Sequence, residues 1–288
     1  MMRPLSSIIA AIATAIVVSA CTTDTTEPPS ATGTTPERIS PNWPPLLNDF
    51  RFHWTAEPGI DVTTGPAMVV RAYMESYNTA WFTLNLDNLF PGFRRATPEN
   101  QEPVGDFLWQ LVDIRPLGSG FTKTAKDARP HFGYQDLHFL ELIPLGDSYR
   151  AIVCGGVYSH FVKSTARPGK FVSIGTDENT AQPDPGDSGV YLTQIELIQR
   201  DPRVAPDLPP QRGPAPAPEQ DVFGDWWFTG AGSSYWGPSS DRTAGDFPPP
   251  ELEKRCNDAM PLPESERLAM MTGFKDQPPP HGEAIPGW

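Results

Sequence analysis

The sequence predicts an α+β fold in which one amphipathic helix packs on a curved antiparallel sheet, followed by a long Pro-rich irregular arm. Three observations predict it. Apolar residues recur at helical spacing over 66–81. Alternating apolar and polar residues mark three long strands between 137 and 199. Finally, 17 of the 35 prolines fall after Arg200, so the last third of the chain has a different composition from the middle. The domain plan is accordingly 1–20 as a leader, 21–45 as a spacer, 46–200 as the globular domain and 201–288 as the C-terminal arm.

Residues 22–45 are rich in Thr, Pro and Ser and lack apolar periodicity, so they read as a solvated spacer that cannot bury a core. Folding is expected to begin near Trp43, with Leu46, Leu47, Phe50, Phe52 and Trp54 supplying apolar area. The helix follows. Thr64 is its N-cap and Pro66 lies in the first turn, where a missing N–H costs nothing. Met68, Val69, Ala72, Tyr73, Ser76, Tyr77, Ala80 and Trp81 form its buried face, and Arg71, Glu75, Asn78 and Thr79 lie off it. The stripe of Tyr73, Tyr77 and Trp81 has two readings, core packing or the wall of a ligand cavity.

Phe107 to Ile114 reads as a strand closed by Pro116. Leu137–Ile143 is a strand ended by Pro144, and Leu145-Gly146-Asp147-Ser148 reads as a hairpin turn. Tyr149–Lys163 is a long strand with a bulge or sharp bend at Gly155-Gly156, and Val190–Gln199 is the third. After Arg200 the prolines favour extended chain. Phe223, Trp226, Trp227, Phe228, Tyr235 and Trp236 then crowd a short stretch, which reads either as an arm packing its rings on the domain or as an aromatic surface for a glycan or protein partner. A short helix is expected at 263–272, begun by Pro263 and ended by Gly273.

The leader has a function of its own. Arg3 and the amino terminus make a positive start, Ile8–Val18 is an uncharged run too short to span a bilayer, and Val18-Ser19-Ala20-Cys21 follows. This stretch resembles the lipobox of bacterial lipoproteins. The resemblance implies cleavage between Ala20 and Cys21, a diacylglycerol on the Cys21 thiol and an acyl chain such as palmitate on the new amine. The protein is then expected at the extracytoplasmic face of a bacterial cell membrane, held there by lipid. Lipobox, Thr/Pro spacer and acidic Pro-rich body together resemble lipoproteins of mycobacteria and their relatives. The order of one helix and long bent strands is similar to the cone-shaped folds related to nuclear transport factor 2, in which a helix packs inside a curved sheet.

Charge and cysteines narrow the function further. The formal net charge is −13, and loss of the leader with its single charge, Arg3, makes it −14. Such a surface opposes phosphate contacts, so nucleic acid is not an expected partner, and membrane binding should depend on acyl chains. Cys21, Cys154 and Cys256 are the three cysteines. With Cys21 lipidated in an oxidising exterior, Cys154 and Cys256 either pair or stay as two buried thiols.

Gly186-Asp187-Ser188-Gly189 resembles the surroundings of the nucleophile in trypsin-like serine proteases, whose chemistry needs a histidine base and an oxyanion hole. Val190 stands where that family has its next glycine, and His53, His131 and His138 lie outside the family's context for the base. Asp177, Glu178, Asp184 and Asp187 lack calcium-loop spacing, while His131, Asp136 and His138 offer too sparse a set for a metal. The sequence therefore implies no catalytic residue, metal or cofactor. It implies a non-enzymatic envelope lipoprotein that binds a partner protein, a glycan or a small ligand. The alternative is an envelope hydrolase using Ser188 and the acidic loop. A cavity beneath the helix favours the first, and a histidine beside Ser188 the second.

Overall fold

The computed structural model describes residues 40–118, 121–201, 208–241 and 247–288. The leader, Cys21 and most of the spacer lie outside the described residues. The fold is α+β, built on a strongly curled, mainly antiparallel sheet with few helices.

Helix α1 (Gly65–Thr83) is the long one, and the single turn α2 (Phe93–Ala96) follows it. Pro66 opens α1, and Leu84 ends it in the left-handed conformation, φ 51°. Thr64 precedes the helix in extended form, but its hydroxyl bonds Asp61 instead of capping a helical N–H.

Seven strands surround α1: β1 (Asp49–Ala56), β2 (His131–Leu145), β3 (Ser148–Gly156), β4 (His160–Lys163), β5 (Phe171–Ser173), β6 (Val190–Gln199) and β7 (Trp226–Gly232). The path is β5-β4-β2-β3-β6-β7, with β1 parallel to β2 on the remaining edge of β2 and the other pairings antiparallel. Irregular register at Phe139/Glu141 in β2 and at Glu196/Leu197 in β6 bends the ladder.

Long β2 holds the sheet together. Its first three residues pair β4 and its later ones pair β3 on the same edge. Pro144 lies inside β2 instead of ending it, because β1 covers the opposite edge only as far as Phe139 and a missing N–H breaks no ladder beyond that point.

The concave face of the sheet and α1 enclose the main core, including Phe50, Phe52, Trp54, Leu137, Phe139, Val153, Ile195, Leu197 and Phe228. On the outer face Leu140, Ile152, Cys154 and Leu192 pack beneath α4 (Pro250–Ala259) and α5 (Glu264–Met271) through Cys256, Met260 and Met271. Cys154 and Cys256 form a disulfide with Cα atoms 5.3 Å apart. Loop closure over 102 residues contributes about 4–5 kcal/mol on chain-entropy grounds.

Several expectations change. The stretch 201–288 is not an irregular arm: it supplies β7 to the sheet and α4 and α5 to its back. Leu208–Pro218 is not a freely solvated linker, since Ala217 is buried and its carbonyl accepts from Ser40. Trp43 is buried, where folding was expected to begin, and Ser40 before it is buried as well.

Helix α1 is not one-sided either. Fourteen of its nineteen residues are buried, including Arg71, Glu75 and Thr79. The far side is covered from a distance by Gln211 and Pro286–Trp288, which sequence periodicity could not foretell. The expected strand at 107–114 is instead a helical turn, α3 (Trp109–Val112), and the expected strand 149–163 is two. The break falls after Gly155-Gly156, where a Cβ would meet the rings of Tyr191 and Tyr158 at 2.2 and 2.4 Å.

Candidate ligand-binding cavity

A cavity of about 360 Å³ opens between α1, the loop after α3, β6 and the end of β7. Helical spacing brings Tyr73, Met74, Tyr77 and Asn78 of α1 to one side. The pleat of β6 brings Tyr191 and Thr193, two residues apart, to the same face. Residues 231–235 and the segment Trp109–Asp113 complete the wall.

The inner end is rigid. Tyr73 stacks between Phe93 and Phe228, with centroids at 5.3 and 4.4 Å, and its hydroxyl donates to the Ile114 carbonyl at 2.7 Å. Asn78 donates to Gln135 at 3.2 Å, and Gln135 donates to the Tyr191 hydroxyl at 3.0 Å. The hydroxyls of Thr193 and Ser233 lie 3.0 Å apart. Burial raises Tyr73 and Tyr77, and pushes Tyr191 up to about 12, so all three hydroxyls stay protonated near neutrality.

The mouth is aromatic and acidic. Trp109 and Tyr235 pack at 5.0 Å and remain 37% and 48% exposed. Asp113 stands beside them on the open side, and among the described residues its carboxylate makes no hydrogen bond or ion pair. Desolvation holds its pKa above the ordinary carboxylate value. Its charge adds to burial, the larger cause, in raising Tyr73 and Tyr77.

The six aromatic residues singled out by sequence do not gather. Tyr73 and Tyr77 line the cavity, and Trp81 stacks on Tyr77 at 6.4 Å while leaning on Phe121 outside it. Trp226, Trp227 and Trp236 make no common surface. Trp226 belongs to the core beside Tyr149, Trp227 lies under the Arg200 guanidinium at 3.9 Å, and Trp236 packs near Phe247. Reading missed Trp109 and Asp113 because their segment looked like a strand. Tyr191 and Thr193 were legible as strand partners, but only the curl of the sheet turns their face towards α1.

Ser188 lies in another cavity, of about 330 Å³, with Asp187, Tyr191, Glu253 and Asn257. No histidine lines it, and Asp187 is used in the turn, accepting from the Gly189 N–H at 2.7 Å. The acidic loop is similarly engaged. Asp177 accepts from the Asn179 and Thr180 N–H groups, while Glu178 binds Arg129 at 2.6 Å together with Thr165. These bonds outweigh desolvation and hold Glu178 down to about 2.

The histidines separate. His131 Nε2 lies 3.0 Å from the Phe82 carbonyl, which can only accept, so that nitrogen carries the proton and Nδ1 accepts from His160 at 2.6 Å. His138 bonds Thr55, while Asp136 accepts from Tyr158 and lies 3.9 Å from His53. Among the described residues no three His, Cys, Asp or Glu side chains converge to hold a metal, and no helix is long and apolar enough to cross a membrane. Comparison with protein-family models, with curated proteins and with solved structures finds no match.

Proposed function

We propose that this protein is a bacterial lipoprotein, tethered through Cys21 to the extracytoplasmic face of the cell membrane, that binds a small ligand in the cavity beneath α1. The observation that carries the binding reading is the cavity itself: an inner end held by stacking and hydrogen bonds, exposed rings at the mouth and a carboxylate that is unpaired among the described residues. Apolar walls with a few placed polar groups are the usual make-up of a small-molecule site. In this reading α1 and the curled sheet work as a cone that opens at the cavity, and the Pro-rich C-terminal part straps it from behind. The Cys154–Cys256 disulfide suits an oxidising exterior. The lipobox-like Val18-Ser19-Ala20-Cys21 supports the anchor.

Hydrolysis is less well supported, because the cavity at Ser188 brings acids and no histidine to the hydroxyl. Metabolic labelling with an acyl-chain analogue, followed by membrane fractionation, tests the anchor. The wild-type protein should carry label in the membrane fraction, and Cys21→Ala should lose both label and processing. Undiminished labelling of the variant would refute the anchor.

A further inference from the structure

The charge and chemistry of the cavity lining narrow the ligand. We propose that the cavity takes a small organic cation, an amine or quaternary ammonium group seated among its aromatic rings and facing Asp113; this rests on the reading of the cavity as a ligand site. Two observations on the lining agree. Tyr77, Trp109, Tyr191 and Tyr235 supply aromatic rings, whose faces attract positive charge, whereas Tyr73 is closed off between Phe93 and Phe228. Among the described residues Asp113 is the one charged side chain of the lining, with no Lys, Arg or His beside it. An anion would meet that carboxylate without a counter-charge, whereas a cation would supply one.

A neutral sugar is the competing ligand, and it is held by many aimed donors and acceptors. Five of the ten polar side chains of this wall are already engaged: Tyr73 bonds Ile114, Asn78 and Tyr191 bond Gln135, and Thr193 bonds Ser233. Among the described residues the wall leaves for a ligand its ring surface, the Asp113 carboxylate, the Tyr77, Ser234 and Tyr235 hydroxyls and the Trp109 N–H, and the carboxylate's charge is what favours a cation over the sugar. The charge lies at the mouth, where Trp109 and Tyr235 are exposed, so the cationic head enters first contact there and its apolar substituents fill the inner space lined by Met74 and Val112.

The test uses the full chain in non-ionic detergent, with indole-¹⁵N-labelled tryptophan. Choline chloride is titrated against its neutral isostere 3,3-dimethylbutan-1-ol at matched ionic strength, with N-acetylglucosamine as a third probe. Choline should shift the Trp109 indole signal and leave that of Trp227 in place. The isostere should need about tenfold more for the same effect, the scale of a desolvated cation–aromatic contact. Asp113→Asn should erase that preference and Asp113→Glu should largely keep it. Because Asp113 is exposed and makes no hydrogen bond or ion pair among the described residues, both variants should keep the wild-type melting temperature.

Equal response to choline and the isostere, or an Asp113→Asn variant that binds choline undiminished, would overturn the cation and leave ligand binding standing. A response to the sugar without choline would do the same and point to a glycan. Silence of Trp109 towards all three probes would also overturn the cation, and ligand binding would then stand or fall on whether a small molecule accompanies the protein from the cell.

Discussion

Glu75 is the most demanding residue in the molecule. It is buried in the middle of α1, and burial raises its carboxyl to about 7 although Arg71 and the indole N–H groups of Trp288 and Trp54 favour its charged form. Arg71 is buried one turn earlier. It is lowered to about 10 chiefly by desolvation, with its guanidinium 3.6 Å from the Trp288 ring and bonded to the carbonyls of Pro286 and Gln211. Glu75→Ala leaves the Trp54 and Trp288 indole N–H groups without their acceptor, so it should cost about 2–5 kcal/mol in chemical unfolding.

The sign of Glu75's pH effect follows from its raised pKa. The folded state holds the proton more tightly than the unfolded chain, so this group's contribution is full below about pH 4.5 and is lost as pH rises through about 7. The His131–His160 pair runs the other way. Burial lowers His131 to about 4 and His160 as well, so their contribution is full above pH 6.5 and is lost as pH falls towards 4. Unfolding curves across pH 4–7.5 should show His131→Gln reducing the acid loss and Glu75→Gln reducing the loss on the neutral side. A variant with an unchanged profile would contradict the assignment to that residue. At this scale the sequence was least informative, since Arg71 and Glu75 read as solvent-facing and their cover arrives from residues some 140 and 215 positions away.

Elements were more legible, for physical reasons that differ from one to the next. α1, the β2–β3 hairpin and β6 carry their apolar residues at helical or strand spacing in the chain itself, although much of α1, β2 and β3 is buried on more than one side. α3 was not legible, because its apolar residues serve a turn that is held from outside, the Trp109 N–H bonding the Gly237 carbonyl and Gln110 bonding the Gly237 N–H. β7 was read as a crowd of aromatic residues because its pairing partner, β6, lies across a proline-rich connection.

Glycines mark where elements meet. Gly133 in β2 has φ +84°, and a Cβ there would come within 2.1 Å of the Ser159 carbonyl, a backbone atom that cannot turn aside. Gly133→Ala should therefore cost about 3 kcal/mol. Gly155→Ala would press the Tyr191 ring instead, so it should cost less while narrowing the cavity. A Gly133→Ala protein as stable as wild type would show that β2 and the 157–159 turn are less closely packed than described.

At the scale of the whole molecule, the C-terminal part is a strap fastened at several points. The Cys154–Cys256 bridge ties α4 to the back of the sheet, and the Lys275 backbone bridges the edge of β5. Ile285 extends the edge of β1, and Trp288 sits against Arg71 and Glu75. Covering edges in this way also hides the unpaired groups that invite intermolecular pairing. Reduction of the bridge should lower stability by about 4 kcal/mol, yet limited proteolysis should still spare 275–288, because three fastenings remain. Rapid loss of that segment on reduction would show the disulfide to be its main restraint.

The cavity lies where the curl of the sheet leaves room between α1, β6 and the end of β7. The proposed ligand binding is open to one direct measurement: native mass spectrometry of the protein purified gently from the cells that make it, beside a Ser234→Trp variant that crowds the mouth. The wild type should carry a small-molecule adduct beyond the polypeptide and any lipid attached at Cys21, positively charged in its own right, and the variant should be folded and free of it. A wild-type mass accounted for by polypeptide and such lipid alone, or an adduct retained undiminished by Ser234→Trp, would contradict ligand binding at this cavity.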